Sequence, residues 1–230
     1  KPKAFTNDCK PKVDESVLSK LDYPEAKLLV DYYTLIKRLG QLGDGNQAWL
    51  KVEKNGRIHG SVNTNGAVTG RATHAFPNVA QVPAVGVPYG KECRELFTVS
   101  AGNKLVGVDV SGLELRCLAH YMARYDGGTY AETVVNGDVH SANQKAADLP
   151  SRSQAKTFIY GFLYGAGVEK IGSIIGKGAK EGAVLKKRFL KSLPALDTLI
   201  KRVQEASKKG HLIGLDGRRL RVRAEYAALN

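Results

Sequence analysis

Arg152, Lys156, Tyr160 and Tyr164 recur every fourth residue through the segment SRSQAKTFIYGFLYG, and Gly165 follows at once. A helix turns about 100° per residue, so each fourth residue drifts only ~40° around the axis. The four side chains therefore share one stripe roughly 120° wide, with two cations at its start and two phenol rings at its end. Cations suit a polyphosphate, and rings suit stacking against a base. A nucleoside triphosphate laid along the helix would meet both. The same spacing also fits an amphipathic helix with its tyrosines in the core and its cations solvated, and the stripe alone does not separate the two.

The helix has a marked start. Pro150 breaks what precedes it, and Ser151-Arg152-Ser153-Gln154 has the S-x-x-Q form of a capping box. The helix dipole would add to the attraction of Arg152 and Lys156 for anions. A second candidate lies upstream, where KLVGVDV over 104–110 reads as an apolar strand ending near Asp109. A carboxylate held at a sheet's edge suits magnesium, which takes one or two carboxylates plus water and phosphate oxygens. Asp109 could equally cap the next helix, SGLELRCLAHYMARY. In that helix Leu113, Cys117, Leu118, Tyr121 and Met122 are expected on the buried side, and Glu114 could be a plain surface charge.

The elements that must position these residues are coarser to read. Residues 1–20 are polar and suit a tail or linker. Asp22-Tyr23-Pro24-Glu25 reads as a helix start with Asp22 as cap. Leu28, Leu29, Tyr32, Leu35, Ile36 and Leu39 then give an apolar face for core or packing. Residues 49–70 read as short strands, with Asn55-Gly56 and Asn65-Gly66 as hairpin turns. HAFPNVAQVPAVGVPYG suits extended chain laid over a surface. From about residue 136 the pattern is mainly helical, closing with the turn Leu215-Asp216-Gly217-Arg218 and a basic strand, RRLRVR. The glycine-rich stretch GAGVEKIGSIIGKGAK is not a P-loop, because three residues rather than four separate Gly172 from Gly176-Lys177. It reads as flexible turns between helices.

Composition narrows the class. The chain has 230 residues, enough for one large domain or two small ones, and 43% are hydrophobic, ample for a core. No apolar run approaches the ~18 residues of a membrane span. The first residues, KPKAFTNDCKPK, lack both an apolar signal core and an initiating methionine, so an excerpt of a longer, unexported protein is expected. Three cysteines and five histidines show neither a disulfide framework nor metal-ligand spacing, which makes a reducing, cytoplasmic setting the default. The net charge of +13 is uneven: residues 1–150 carry a balance of +2 and residues 151–230 a balance of +11. A basic segment of this kind is the electrostatic footprint of a protein that meets nucleic acid or another polyanion.

Taken together, DVSGLELR and RSQAKTFIYGFLYG resemble motifs A and B of the family-A DNA polymerases, D-x-S-x-x-E-L-R and R-x-x-x-K-x-x-x-(F/Y)-x-x-x-Y-G. TGRATHAFPNVAQVP at 69–83 resembles the family's T-G-R…P-N-x-x-x-x-P segment, and GDVH at 137–140 its D-I-H element. The resemblance covers nearly the whole chain and is nearest to replicative polymerases of short-tailed, T-odd bacteriophages. It implies an α+β right-hand fold with part of the palm, an antiparallel sheet with helices, and helical fingers. The implied division is a thumb base at 1–48, palm at 49–135, fingers at 136–208 and a return strand at 209–230.

The resemblance also implies roles. Asp109 would bind two catalytic Mg2+ ions, with the Val110 carbonyl as a further ligand. Glu114 would close off the sugar's 2′ side. His140, Arg152 and Lys156 would hold the deoxynucleoside triphosphate, and Tyr160 would pack on it. Tyr164 and Gly165 would line the nascent base pair, and Thr69, Arg71, Asn78 and Gln81 would touch the primer-template DNA. Arg71 and Gln81 suit the minor groove, where every base pair presents acceptors at nearly the same place. The family's second metal carboxylate comes from a downstream His-Asp-Glu turn, and no His-Asp pair occurs in this chain. Asp126, Asp138 and Asp216 are poor substitutes by context. The expectation is therefore a polymerase fragment, inactive alone, whose partners include the remainder of the polymerase or a processivity factor, in the cytoplasm of an infected bacterial host. A non-catalytic nucleic-acid-binding module derived from the same fold is the alternative.

Overall fold

A computed structural model describes residues 5, 6, 8–67 and 69–222. The chain divides into two compact units, 1–106 and 107–230.

In the first unit, helices α1 (Glu15–Leu18) and α2 (Pro24–Leu39) are followed by a π-helical turn, Gly40–Asp44, and a short helix α3 (Trp49–Val52). Strands β1 (Glu53–Lys54) and β2 (Arg57–Ile58) pair antiparallel around Asn55-Gly56. Both turn residues have positive φ, 55° and 74°, as a tight primed hairpin turn requires. Strands β3 (Ser61–Asn63) and β4 (Thr73–Ala75) pair antiparallel, and helix α4 (Gly90–Glu95) follows a 3-10 turn at Val79–Gln81. Trp49 and Cys93 are buried, and Trp49 meets Phe97 edge to face at 5.1 Å.

Four expectations are corrected here. The cap of α2 is Tyr23, not Asp22, because Pro24 occupies the first helical position and forces the residue before it into extended conformation, φ −124° and ψ 136°. The apolar face of α2 is not core: Leu28, Leu29, Tyr32, Leu35, Ile36 and Leu39 are all exposed, and Ala26 is the buried residue of that helix. Asn65-Gly66 does not close a two-residue hairpin. The β3–β4 connection runs over 64–72, and the Asn63 side chain accepts from Asn65 N at 3.1 Å, which opens a wider loop. The proline-rich stretch is not extended chain: after β4 it takes the 3-10 turn at Val79–Gln81 and two tight turns, Val87 N donating to Ala84 O at 3.2 Å and Gly90 N to Val87 O at 2.9 Å. It is pinned by Arg94 Nε donating to Pro83 O at 2.8 Å and Arg38 Nε donating to Pro88 O at 3.3 Å.

The second unit is mainly helical: α5 (Leu113–Asp126), α6 (Thr129–Asn136), α7 (Val139–Ala147), α8 (Arg152–Leu163), α9 (Val168–Ile174), α10 (Ala179–Ser192) and α11 (Pro194–Ser207). The hairpin β5 (His211–Ile213) and β6 (Arg219–Arg221) follows around Asp216-Gly217. The basic strand is thus present as far as Arg221; Arg223 and the rest of the return segment lie outside the described residues. The core gathers Leu115, Met122, Phe158, Ile159, Ile171, Phe189 and Leu196, all fully buried. Phe158, Phe162 and Phe189 form an aromatic trio with centroids 4.9–5.9 Å apart, locking α8 onto α10.

Helix α5 buries Leu115, Leu118, Ala119 and Met122, the i, i+3, i+4, i+7 set, while Leu113 is exposed. The expected face was rotated by including Leu113 and omitting Leu115. The glycine-rich stretch holds more structure than flexible turns, because Gly172 lies within α9. A Cβ at Gly182 would come 1.9 Å from Val168 O, so α9 and α10 cross at backbone contact. The segment 103–110 forms no regular element and pairs with no strand among the described residues, and Leu105, Val106 and Val108 are exposed. A strand needs a hydrogen-bonding neighbour as well as β-prone side chains, and the described residues supply none here.

Candidate functional site

Helix α8 begins as its sequence requires. Ser151 is extended, φ −142° and ψ 151°, and its hydroxyl accepts from Gln154 N at 3.2 Å. Gln154 Oε1 in turn lies 3.4 Å from that hydroxyl, a variant of the expected box. From this start Ala155, Phe158, Ile159, Phe162 and Leu163 face the core. The opposite stripe faces out: Arg152 and Lys156 are exposed, Tyr160 is partly buried and Tyr164 is half exposed. Of the two arrangements the spacing allowed, the tyrosines-in-core one is excluded at Tyr164 by its exposure.

Neighbouring helices bring further polar groups to this stripe. Asp138 caps α7, accepting from His140 N at 3.1 Å and Ser141 N at 3.4 Å, with the Ser141 hydroxyl donating at 2.7 Å. The same carboxylate takes Arg152 Nε at 2.8 Å and Nη2 at 3.0 Å. The Arg152 guanidinium, then the Ser141 hydroxyl, hold the Asp138 carboxyl far below the usual carboxylate range, and the pair raises Arg152 in return. His140 stands 6.3 Å from the Tyr160 ring, centroid to centroid. Burial first, then Arg152 and Lys156, push the His140 pKa down, so the ring is neutral at neutral pH. Its Nδ1 has no hydrogen-bond partner among the described residues.

At the far end of the stripe the Tyr164 hydroxyl donates to Glu114 Oε1 at 3.5 Å, joining α8 to the start of α5. Burial, then Glu114 and Tyr164, raise the Tyr160 pKa, which keeps that phenol protonated. Five of the singled-out residues, Glu114, His140, Arg152, Lys156 and Tyr160, therefore lie along one outward face, with Tyr164 at its end and Gly165 just beyond. The participant missed in the sequence is Asp138. Its D-x-x-S cap was legible, but its grip on Arg152 spans fourteen residues and two helices.

Asp109 and Val110 lie on the exposed, unpaired segment before α5. Among the described residues no group of three or more His, Cys, Asp or Glu side chains could hold a metal ion. The donors present, one carboxylate and one carbonyl, fit a hard ion such as Mg2+ that completes its shell with phosphate and water. In the first unit, Thr69, Arg71 and Gln81 are exposed and Asn78 is partly buried. The Asn78 side chain accepts from Ala80 N at 3.1 Å, so it caps the 3-10 turn, and Gln81 O accepts from Gln41 Nε2 at 3.3 Å. Cations of residues 151–222 decorate the solvent sides of α10 and α11, including Lys187, Lys191, Lys201 and Arg202. Among the described residues no helix is long and apolar enough to cross a membrane.

The chain is 49% identical to the DNA-directed DNA polymerase of Enterobacteria phage T3, over all of this chain and 37% of that protein. It matches the DNA-directed DNA polymerase of Escherichia phage T7 to the same extent. A thermostable DNA polymerase I of Thermus thermophilus is 30% identical over 72% of this chain and 21% of that protein. The chain thus spans little more than a third of the phage relatives. Its fold superposes on the POL domain of Pol1 from M. smegmatis, solved in complex with DNA primer-template and dNTP, with a TM-score of 0.80 and 21% identity, covering 97% of this chain and 41% of that one. The family described as DNA polymerase family A matches residues 1–227, and the chain belongs to it.

Proposed function

We propose that this chain is the nucleotide-selecting part of a phage replicative DNA polymerase, which adds deoxynucleotides to a primer 3′-hydroxyl with release of pyrophosphate. The observation that carries this reading is the outward face of α8 with its neighbours on α7 and α5, where cations and a neutral histidine at one end suit the triphosphate, and two phenols and a carboxylate at the other suit the sugar and base. Arg152 and Lys156 bind the phosphates, His140 adds a hydrogen-bonding edge, and Tyr160 packs on the nucleotide. Glu114, tied to Tyr164, stands where it can exclude a 2′-hydroxyl. Thr69, Arg71, Asn78, Gln81, Tyr164 and Gly165 serve the primer-template. In the division we adopt, 1–48 is the base of the thumb, 49–135 palm, 136–208 fingers and 209–230 a return strand.

The Asp109 carboxylate and Val110 carbonyl would hold Mg2+, which when bound neutralises phosphate charge. A two-ion site needs a second carboxylate beside Asp109, and we assign none among the described residues. On this reading the 230 residues alone do not extend a primer, and the remainder of the polymerase, with or without a processivity factor, is the further partner. The protein's own work is positioning: fixed cations meet charge that is already on the substrate and grows on the leaving pyrophosphate.

Equilibrium binding of dATP and of a primer-template to the full chain tests this. Lys156→Ala is expected to weaken dATP binding about ten-fold, the loss of one charge-assisted contact, and to leave primer-template binding within about two-fold. Equal losses of both would favour a general nucleic-acid-binding module instead.

A further inference from the structure

The Arg152 guanidinium has two edges that can each make a paired contact with an anion: the side edge, Nε and Nη2, and the end edge, Nη1 and Nη2. Asp138 occupies the side edge, with Nε at 2.8 Å and Nη2 at 3.0 Å. No described residue bonds Nη1, so the end edge points away from the carboxylate. The Asp138 carboxylate is itself immobilised. One oxygen accepts from His140 N and Ser141 N and the other takes the Ser141 hydroxyl, so the first turn of α7 sets the plane of the carboxylate. That plane in turn sets the plane of the guanidinium.

We propose that Asp138 is a positioning residue for nucleotide binding, acting through Arg152. It holds the guanidinium by the side edge, presents the end edge to a phosphate of the incoming triphosphate, and ties that placement to the helix turn that carries His140. The inference rests on the reading of α8 as a triphosphate-binding face and adds a residue to it. Arginine is long and loses rotamer freedom when a ligand fixes it; a guanidinium already fixed by a carboxylate loses less. The carboxylate also repels phosphate. That repulsion acts from the far side of the guanidinium and across solvent, because both partners are about half exposed, and so it is screened; orientation is not. Orientation therefore wins, and the pair strengthens binding.

The test uses the full chain and Mg2+-dATP, with Asp138→Ser, Arg152→Ala and the double variant. Serine keeps a helix cap for α7, so its melting temperature controls for folding. Asp138→Ser is expected to raise the dATP Kd about ten-fold, with primer-template binding unchanged. Arg152→Ala is expected to raise it at least as much, and the double variant no more than Arg152→Ala alone, because the first residue acts through the second. The proposal is overturned if Asp138→Ser leaves the Kd unchanged or tightens it, or if the two losses multiply in the double variant. If Arg152→Ala itself leaves dATP binding at the wild-type value, the triphosphate face fails and this inference falls with it.

Discussion

Removing the Phe158 ring should separate the two faces of α8. Phe158 is fully buried and packs edge to face on Phe189 at 4.9 Å and against Phe162 at 5.9 Å, while Phe162 and Phe189 are themselves 5.4 Å apart. Neither neighbour can swing into the vacated space without giving up the contact between them, so collapse is limited and a cavity remains. Phe→Ala changes in cores cost about 3–5 kcal/mol, and poor collapse places this site near ~4 kcal/mol. With a urea dependence of about 2 kcal/mol/M, the unfolding midpoint should drop by ~2 M. Far-UV circular dichroism would follow the transition, and hydrogen exchange of the α8 amides would assign the loss to the second unit. Tyr164, on the opposite face and 51% exposed, provides the contrast: Tyr164→Ala should move the midpoint by less than ~0.5 M. Should Phe158→Ala shift the midpoint no more than Tyr164→Ala does, the inward and outward assignment of the helix is wrong.

Other perturbations probe the site and its support. Glu114→Ala should relax the sugar preference, bringing the Kd for ATP close to that for dATP; an unchanged ratio would remove Glu114 from the sugar's 2′ side. His140 has a folded pKa below its ordinary value, so between the two the unfolded chain binds more protons than the folded one. Stability should therefore fall as pH drops below ~6.5, and His140→Gln should flatten that fall in urea titrations at pH 5.5 and 7.5; a slope identical in both proteins would contradict the burial of the ring. Gly182→Val should force α9 and α10 apart, because even a Cβ would meet Val168 O at 1.9 Å, and a drop in thermal midpoint of several degrees is expected; an unaltered midpoint would mean the crossing can open freely.

How much of this was visible in the sequence depends on the range over which each feature is decided. The cap at Ser151, the Asn55-Gly56 hairpin and the α8 stripe were legible because each is set by residues within one or two turns. Asp22 lost its capping place to Tyr23 because the constraint from Pro24 acts on its immediate neighbour. The rotated face of α5 reflects a helix with apolar residues at seven of the ten positions from Leu113 to Met122, where periodicity admits two offset stripes and tertiary packing chooses between them. KLVGVDV has strand composition, but composition cannot report whether a neighbouring strand is present to pair with it. The Asp138–Arg152 contact joins two helices, and no local pattern announces it.

Where the nucleotide lies is the central claim, and photocrosslinking reads it directly. 8-Azido-dATP irradiated with the full chain in Mg2+, followed by peptide mass spectrometry, should place the adducts at Tyr160 in α8 or at Tyr164 at its C-terminal end, with unlabelled dATP suppressing them. Competable adducts confined to residues 166–180 of the glycine-rich segment, or to the first unit, would contradict the account.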